Sequence, residues 1–386
     1  MKIRIDRGIL AEAVAWAARS LPSRPAMPVL TGLLIKTFDQ SVSLSTFDYE
    51  TSARIECPAH IIDEGEVLVS GKLLADIARS LPHMEVEIEA DATRAELRCG
   101  PAQFTLQALP LDEYPQLPSM PAATGVIDSA LFAQSIQQTV IAAGKDELLP
   151  IFTGVKIEID NNTLSMLATD RFRMSLKEFT WDSSSEITST SALVPAKVLT
   201  EVARTMTSGE TVTIALSNPQ MGEGIIGIES TVNDVSRRIT TRLLSGEFPK
   251  VRHLMDVTPS LVMRCNTNDL VASVKRVSLV AERNTPIRML IADDQIALEA
   301  ATGDQAQASE SISAQVTNHL GEENALSAAG FNPHFLSDAL SALNTPYVQI
   351  SFTAPGKPCL IQGIDSIDAE ADESYKHVIM LMRLPS

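Results

Sequence analysis

The run Asp6-Arg7-Gly8-Ile9-Leu10-Ala11-Glu12-Ala13-Val14 returns 122 positions later as Asp128-Ser129-Ala130-Leu131-Phe132-Ala133-Gln134-Ser135-Ile136. A looser third copy, Asn266 to Val274, begins 138 positions after the second. Such periods are domain-sized, too long for a solenoid, so the chain reads as three versions of one domain. Other anchors keep the same order. Leu44-Ser45-Thr46-Phe47-Asp48 answers to Met166-Leu167-Ala168-Thr169-Asp170, and Val69-Ser70-Gly71-Lys72-Leu73-Leu74 answers to Val194-Pro195-Ala196-Lys197-Val198-Leu199. Glu113-Tyr114-Pro115 answers to Glu247-Phe248-Pro249, and in the third copy Gly330-Phe331-Asn332-Pro333 stands where the lysine segments stand.

Each copy opens on a short strand, such as Met1 to Ile5, and continues into an amphipathic helix. In the first, Ile9, Leu10, Ala13, Val14, Ala17 and Leu21 recur at helical spacing, with Asp6 as N-cap and Pro22 as the stop. Counterparts are predicted from about Asp128 to Ala143 and from about Asn268 to Ala281. Strands are predicted over Val29 to Thr37, Ser41 to Thr46 and Ala53 to Cys57, with Asp39-Gln40 as a hairpin turn. A second helix begins after Ser70 and again after Pro195, and further strands close the unit. That order specifies an α+β fold in which each domain packs two helices on antiparallel sheet. Pro-rich joins at Leu117 to Ala122 and Pro249 to Pro259 divide the chain into domains 1–121, 122–254 and 255–386.

The length of 386 residues suits three such domains, and 45% hydrophobic with 20% charged residues is ordinary for a globular protein. Met1-Lys2-Ile3-Arg4-Ile5-Asp6 lacks the apolar core of a signal peptide, and no stretch approaches the roughly 18 apolar residues of a membrane span. A cytoplasmic protein is the expectation. Cys57, Cys99, Cys265 and Cys359 are far apart and have no histidine at ligand spacing. Buried reduced thiols are therefore expected, with no disulfide, metal or cofactor.

A net charge of −17 opposes nucleic-acid binding if taken as a sum. Its distribution says more. Lys72 and Arg79 lie seven apart on a predicted helix, and Lys197 and Arg204 repeat that spacing, which sets each pair about two turns apart on one face. Arg19, Lys145, Lys275 and Arg276 belong to the first helices, and Arg24 to the loop after one of them. The segment from Asn332 to Asp338 has no Lys or Arg, so Lys275, Arg276 and Arg283 must serve the third domain. Thinly spread cations, with aromatic residues at only 4%, can track a phosphate backbone but cannot read bases. The candidate DNA contacts are thus Arg24, Lys72, Arg79, Lys145, Lys197, Arg204, Lys275 and Arg276.

No catalytic constellation emerges. Gly65 to Lys72 imitates a phosphate-binding loop but has five residues between its glycines instead of four, and Leu73 in place of Ser or Thr. GxSxG, HExxH and GxGxxG are absent, and the adjacent Asp293-Asp294 sit at a predicted turn. Two functions stay open on the residues alone: a non-catalytic protein whose helix cations track a phosphate backbone, or a repeat-built enzyme or small-ligand binder with its site between domains.

Six segments carry a family resemblance in the right order: Arg24-Pro25-Ala26-Met27-Pro28-Val29-Leu30, Phe47-Asp48-Tyr49-Glu50, Ala168-Thr169-Asp170-Arg171-Phe172-Arg173, Gly246-Glu247-Phe248-Pro249, Gly330-Phe331-Asn332-Pro333 and Met380-Leu381-Met382-Arg383-Leu384. Over essentially its whole length the chain resembles the bacterial DNA polymerase III beta subunits, the sliding clamps. Ala168 to Arg173, Gly356-Lys357-Pro358 and Pro385-Ser386 resemble the actinobacterial type.

The resemblance implies a head-to-tail homodimer closed into a ring of six similar domains around duplex DNA. Helices would line the hole, and a replicative polymerase, clamp loader and repair polymerases would dock through short motifs. It places their pocket at Phe152, Thr169, Arg171, Phe172, Arg173, Met174, Pro249, His253, Leu254, Asn332, Phe335, Met380, Leu381, Met382, Arg383 and Leu384. Arg171-Phe172 stand where other clamps have Gly-His, His253 where an Arg is frequent, and Leu381 where a Pro is frequent. Phe104 and Leu106 on one side and Leu279 on the other are the implied dimer contacts.

Overall fold

The computed structural model describes residues 1–386 except 184–188, 218–223, 283–284, 303–304, 320–325, 355 and 385–386. Among the described residues the helices come two to each repeat: α1 (Arg7–Ala18), α2 (Gly71–Ser80), α3 (Ser129–Val140), α4 (Ala196–Thr205), α5 (Thr267–Val277) and α6 (Pro333–Ser341). Side-chain caps fix the starts of α1 and α6. Asp6 accepts the N–H groups of Gly8 (2.7 Å) and Ile9 (3.1 Å), and Asn332 accepts those of His334 (3.0 Å) and Phe335 (3.2 Å). Leu10, Ala13, Val14 and Ala17 of α1 are fully buried, the stripe that the sequence spacing predicts. Each such Leu or Val contributes about 1.5–3 kcal/mol relative to exposure.

The predicted strand from Val29 divides. Pro28–Thr31 forms a 3-10 turn, and the strand runs over Gly32–Phe38. Pro28 has a fixed φ and no N–H to give a ladder, and Thr31 Oγ1 donates back to its carbonyl at 2.8 Å.

The chain forms two compact units. The first comprises Met1–Ala133, Trp181–Thr188 and Val198–Leu243, the whole first repeat with one half of the second. Its nine-stranded sheet joins the two repeats where Thr51–Pro58 pairs antiparallel with Val235–Arg242, Ala53 opposite Ile239. Hydroxyls meet across that seam, Ser52 with Thr240 at 2.6 Å and Thr51 with Thr241 at 3.1 Å, and buried Arg237 pairs with Glu12 of α1. A five-stranded sheet completes the unit, with Ala102–Gln107 at one edge.

The second unit comprises Gln134–Thr180, Ser189–Lys197 and Leu244–Ser386. Here Arg173–Thr180 pairs with Tyr375–Ile379 inside a nine-stranded sheet, and Ala306–Ser313 is the edge of a four-stranded one. The three repeats therefore do not coincide with the two units. At each seam, main-chain hydrogen bonds run between neighbouring repeats, so the middle repeat is divided between sheets.

Candidate functional site

In the second unit, the hairpin between strands Thr163–Thr169 and Arg173–Thr180 turns through Asp170-Arg171-Phe172. Asp170 Oδ1 accepts the N–H groups of Phe172 and Arg173, both at 3.0 Å, and Thr169 Oγ1 accepts that of Arg171 at 3.1 Å. This network holds Arg171 at φ 81°, a left-handed conformation that costs a side-chain-bearing residue about 1–2 kcal/mol. The turn sends Arg171 and Phe172 outward, Phe172 to 55% exposure. Arg171 lies over the rings of Phe152 (5.5 Å) and Phe172 (5.8 Å).

Arg173 points the other way and is buried. Its Nε donates to Asp170 Oδ2 at 3.0 Å, its Nη1 to Asp338 Oδ2 at 2.6 Å, and its guanidinium stacks 4.4 Å from the centre of Phe335. Charge, hydrogen bonds and ring face thus fix α6 against the turn. Beside it opens a cavity of about 540 Å³ lined by Ala143–Asp146, Leu149, Phe152, Asp170–Arg173, His334, Phe335 and Asp338.

Of the sequence candidates, Phe152, Arg171, Phe172, Arg173 and Phe335 line this cavity, joined by Lys145, which the sequence assigns to DNA. Thr169 is buried beneath the turn, its hydroxyl on the Arg173 carbonyl at 2.7 Å. Met174 is buried with Phe248, Met255 and Val378 in the apolar floor of the same unit. Pro249 precedes the 3-10 turn Arg252–Met255, which leaves His253 and Leu254 exposed. Asn332 caps α6 and does not line the cavity.

The C-terminal run follows the turn through its backbone. Met380 N–H donates to the Phe172 carbonyl and Met382 N–H to that of Gly330, both at 2.8 Å. Only glycine allows the second approach, since a Cβ at position 330 would meet the Met382 oxygen at 2.7 Å. Met380 is 40% exposed, Leu381 and Met382 are half-buried and Arg383 is exposed. Leu384 lines a different cavity, with Thr285, Pro286 and Arg288.

Sequence reasoning missed His334 and Asp338, because it took from α6 only its lack of cations and, through the resemblance, Phe335. It also missed a buried polar cluster behind the turn. Tyr375 donates its hydroxyl to the Gln138 carbonyl at 3.1 Å and lies 3.2 Å from His377 Nδ1. A hydroxyl has one proton, so His377 Nδ1–H must be the donor in the second contact, which leaves Nε2 a bare acceptor. Burial, followed by the charge of Arg173, pushes the His377 pKa down to about 3.

Within the first unit, Arg24, Lys72, Arg79 and Arg204 are exposed. In the second, Lys145, Lys197, Lys275 and Arg276 are exposed. Arg276 is not a free cation: it forms a two-pronged pair with Glu310, Nε to Oε2 at 2.9 Å, and this holds the Glu310 carboxyl below its usual range. Arg19 is committed to Glu201 at 3.4 Å, and Arg283 lies outside the described residues. Among the dimer candidates Leu279 is 83% exposed and Phe104 half-buried on the edge strand. Leu106, two residues on and on the same inward face, is only 2% exposed, so it belongs to the core.

All four cysteines are free and buried, and burial pushes the thiols of Cys57, Cys265 and Cys359 up to about 12. Among the described residues no group of His, Cys, Asp and Glu is placed to hold a metal, and no helix is long and apolar enough to cross a membrane.

Residues 1–118, 126–250 and 258–383 match, in turn, the N-terminal, central and C-terminal domain families of the DNA polymerase III beta subunit. The chain is 50% identical to the beta sliding clamp of Streptomyces coelicolor over 384 residues, covering 100% of both chains. It is 45% identical to that of Micrococcus luteus, covering 81% of this chain and 98% of the relative. Among solved structures, the DNA polymerase sliding clamp of Bacillus subtilis superposes with a TM-score of 0.88 at 26% identity, covering 100% of both chains.

Proposed function

The chain belongs to the DNA polymerase III beta-subunit family of sliding clamps, and from that premise we propose how its parts divide the work of a processivity subunit. The role is non-catalytic: the chain keeps a polymerase on its template and performs no reaction on it. Two copies associate head to tail and enclose duplex DNA, with the exposed cations of α2 and α4 turned toward phosphates. The observation that carries this reading is the recurrence of one exposed cation in the first turn and one in the last turn of matching helices, Lys72 with Arg79 and Lys197 with Arg204. A topological hold needs only weak contact, and weak contact permits sliding.

The edge strands Ala102–Gln107 and Ala306–Ser313 support the dimer. Along the second, every other residue is exposed, which suits pairing with a strand of another copy. Phe104 and Leu279 are the apolar contacts proposed for that interface. The cavity beside Arg173 is proposed as the docking groove for polymerase, loader and repair proteins. An apolar peptide side chain enters among Phe152, Phe172 and Phe335, and the backbone run Met380 to Arg383 borders it.

The decisive experiment loads the protein with its clamp loader onto nicked circular DNA and then linearises the DNA. Retention on the circle and loss from the linear form are expected; persistence after cutting would overturn enclosure. In parallel, Met382→Glu should abolish binding of a short clamp-binding peptide while leaving the oligomeric mass unchanged. An unaltered affinity would remove the C-terminal run from the groove.

A further inference from the structure

In the first compact unit, the seam between the first and second repeats reproduces the scaffold of the Arg173 groove with different side chains. Asp48 Oδ1 accepts the N–H groups of Glu50 (3.0 Å) and Thr51 (2.7 Å), as Asp170 does in the second unit. Tyr49 has φ 75°, matching Arg171 at 81°. Arg242 N–H donates to the Glu50 carbonyl at 3.0 Å, the counterpart of Met380 on Phe172. Leu109 N–H donates to Leu68 O at 2.8 Å, and Leu244 N–H to Leu193 O at the same distance. A cavity of about 320 Å³ opens beside this turn, its lining including Phe47, Tyr49, Glu50, Pro118, Ile225 and Arg242.

The side chains change what such a cavity can hold. Where the second unit presents Arg171 and Phe172, this one presents Tyr49, 42% exposed with its ring 5.8 Å from Phe47, and the exposed carboxylate of Glu50. No ion pair to Glu50 forms among the described residues. A carboxylate next to an exposed aromatic face attracts a cation by charge and by the ring quadrupole together. Pro118, Ile225 and Phe47 supply apolar wall for the neighbouring side chain. Arg242, the one cation in the lining among the described residues, bonds the Glu50 carbonyl through its backbone N–H, and its guanidinium makes no ion pair with the Glu50 carboxylate.

We propose that this seam is a second docking groove, one that takes an extended peptide presenting a lysine or arginine to Glu50 and Tyr49 and an apolar side chain to Phe47 and Ile225. It shares only a scaffold with the Arg173 groove and does not require that groove to bind anything. One chain then carries two grooves on a common scaffold, one presenting Glu50 beside its turn and the other Arg171.

Fluorescence polarisation on the full-length Phe172→Ala protein, in which the Arg173 groove is disabled, tests this with three synthetic peptides, Gly-Ser-X-Leu-Pro-Leu-Ser-Gly, where X is Lys, Gln or Glu. The Lys peptide should bind at least about fivefold more tightly than the Glu peptide, a margin in the range of one exposed cation–aromatic contact. Added to that background, Glu50→Lys should reverse the order and Tyr49→Ala should weaken the Lys peptide severalfold. Both mutated positions at the seam are exposed, and an unchanged melting temperature verifies folding. Absence of binding, equal binding of the three peptides, or an order unchanged by Glu50→Lys would each overturn the proposal.

Discussion

Arg173 and Asp338 stand 165 positions apart in the chain, yet their side chains meet at 2.6 Å, with the Phe335 ring beneath the guanidinium. The pair fixes α6 to the turn that bears Arg171 and Phe172. Replacing Arg173 by Ala leaves Asp170 Oδ2 without its partner on a side chain only 15% exposed, and should cost about 2 kcal/mol in denaturant unfolding. Asp338→Ala, at a carboxylate 44% exposed, should cost no more than about 1 kcal/mol. Equal costs would mean that the Asp338 pair accounts for all of Arg173's contribution, with nothing added by Asp170 or the Phe335 ring.

Arg171 offers a separate test, because its backbone conformation suits glycine. Arg171→Gly removes a left-handed penalty of about 1 kcal/mol but loses stacking over Phe152 worth about 0.5–1 kcal/mol. Stability should therefore move by less than about 1 kcal/mol. A peptide with an acidic residue beside its apolar anchor should lose affinity severalfold. Unchanged affinity would show that the guanidinium stays on the aromatic rings when the groove is occupied.

The cations are unequal, and salt dependence should reveal it. Lys275 and Arg276 are adjacent, but Arg276 is already paired with Glu310. Lys275→Ala should lower the slope of log affinity against log salt by roughly 1, the effect of one lost phosphate contact. Arg276→Ala should change it far less. The double reversal Lys72→Glu with Lys197→Glu should weaken DNA contact and loading while sparing peptide binding. A normal salt slope in that variant would turn those helices away from DNA.

These contrasts mark where the sequence is legible. Asp6 before a stripe of Leu10, Ala13, Val14 and Ala17 announces a helix by local chemistry, and the recurrence at Asp128 and Asn266 announces the repeat. The pairing of Thr51–Pro58 with Val235–Arg242 is not legible, since alternation shows which face of a strand is buried and not which distant strand lies beside it. For the same reason Arg171 and Phe172 were found through a local motif, whereas Asp338 was passed over. Its partner is set by packing of α6, and Asn332, placed in the pocket by resemblance, is spent on capping that helix.

His377 gives the last test, because its environment reaches solution behaviour through proton linkage. It is fully buried on Tyr375, its Nε2 has no partner, and burial lowers its pKa from 6.5 to about 3. The unfolded chain takes up a proton below pH 6.5 that the folded chain refuses until pH 3. Its contribution to stability is therefore complete above pH 6.5 and falls as the pH drops, by about 1.4 kcal/mol per pH unit. His377→Gln keeps a neutral donor near the Tyr375 hydroxyl. It should cost about 1–2 kcal/mol at pH 8 through imperfect packing, yet remove one proton from the acid slope. Urea titrations of both proteins across that pH range measure the difference directly. Parallel stability curves would mean that the native cluster opens to admit the proton, and that the acid sensitivity of the second unit arises elsewhere.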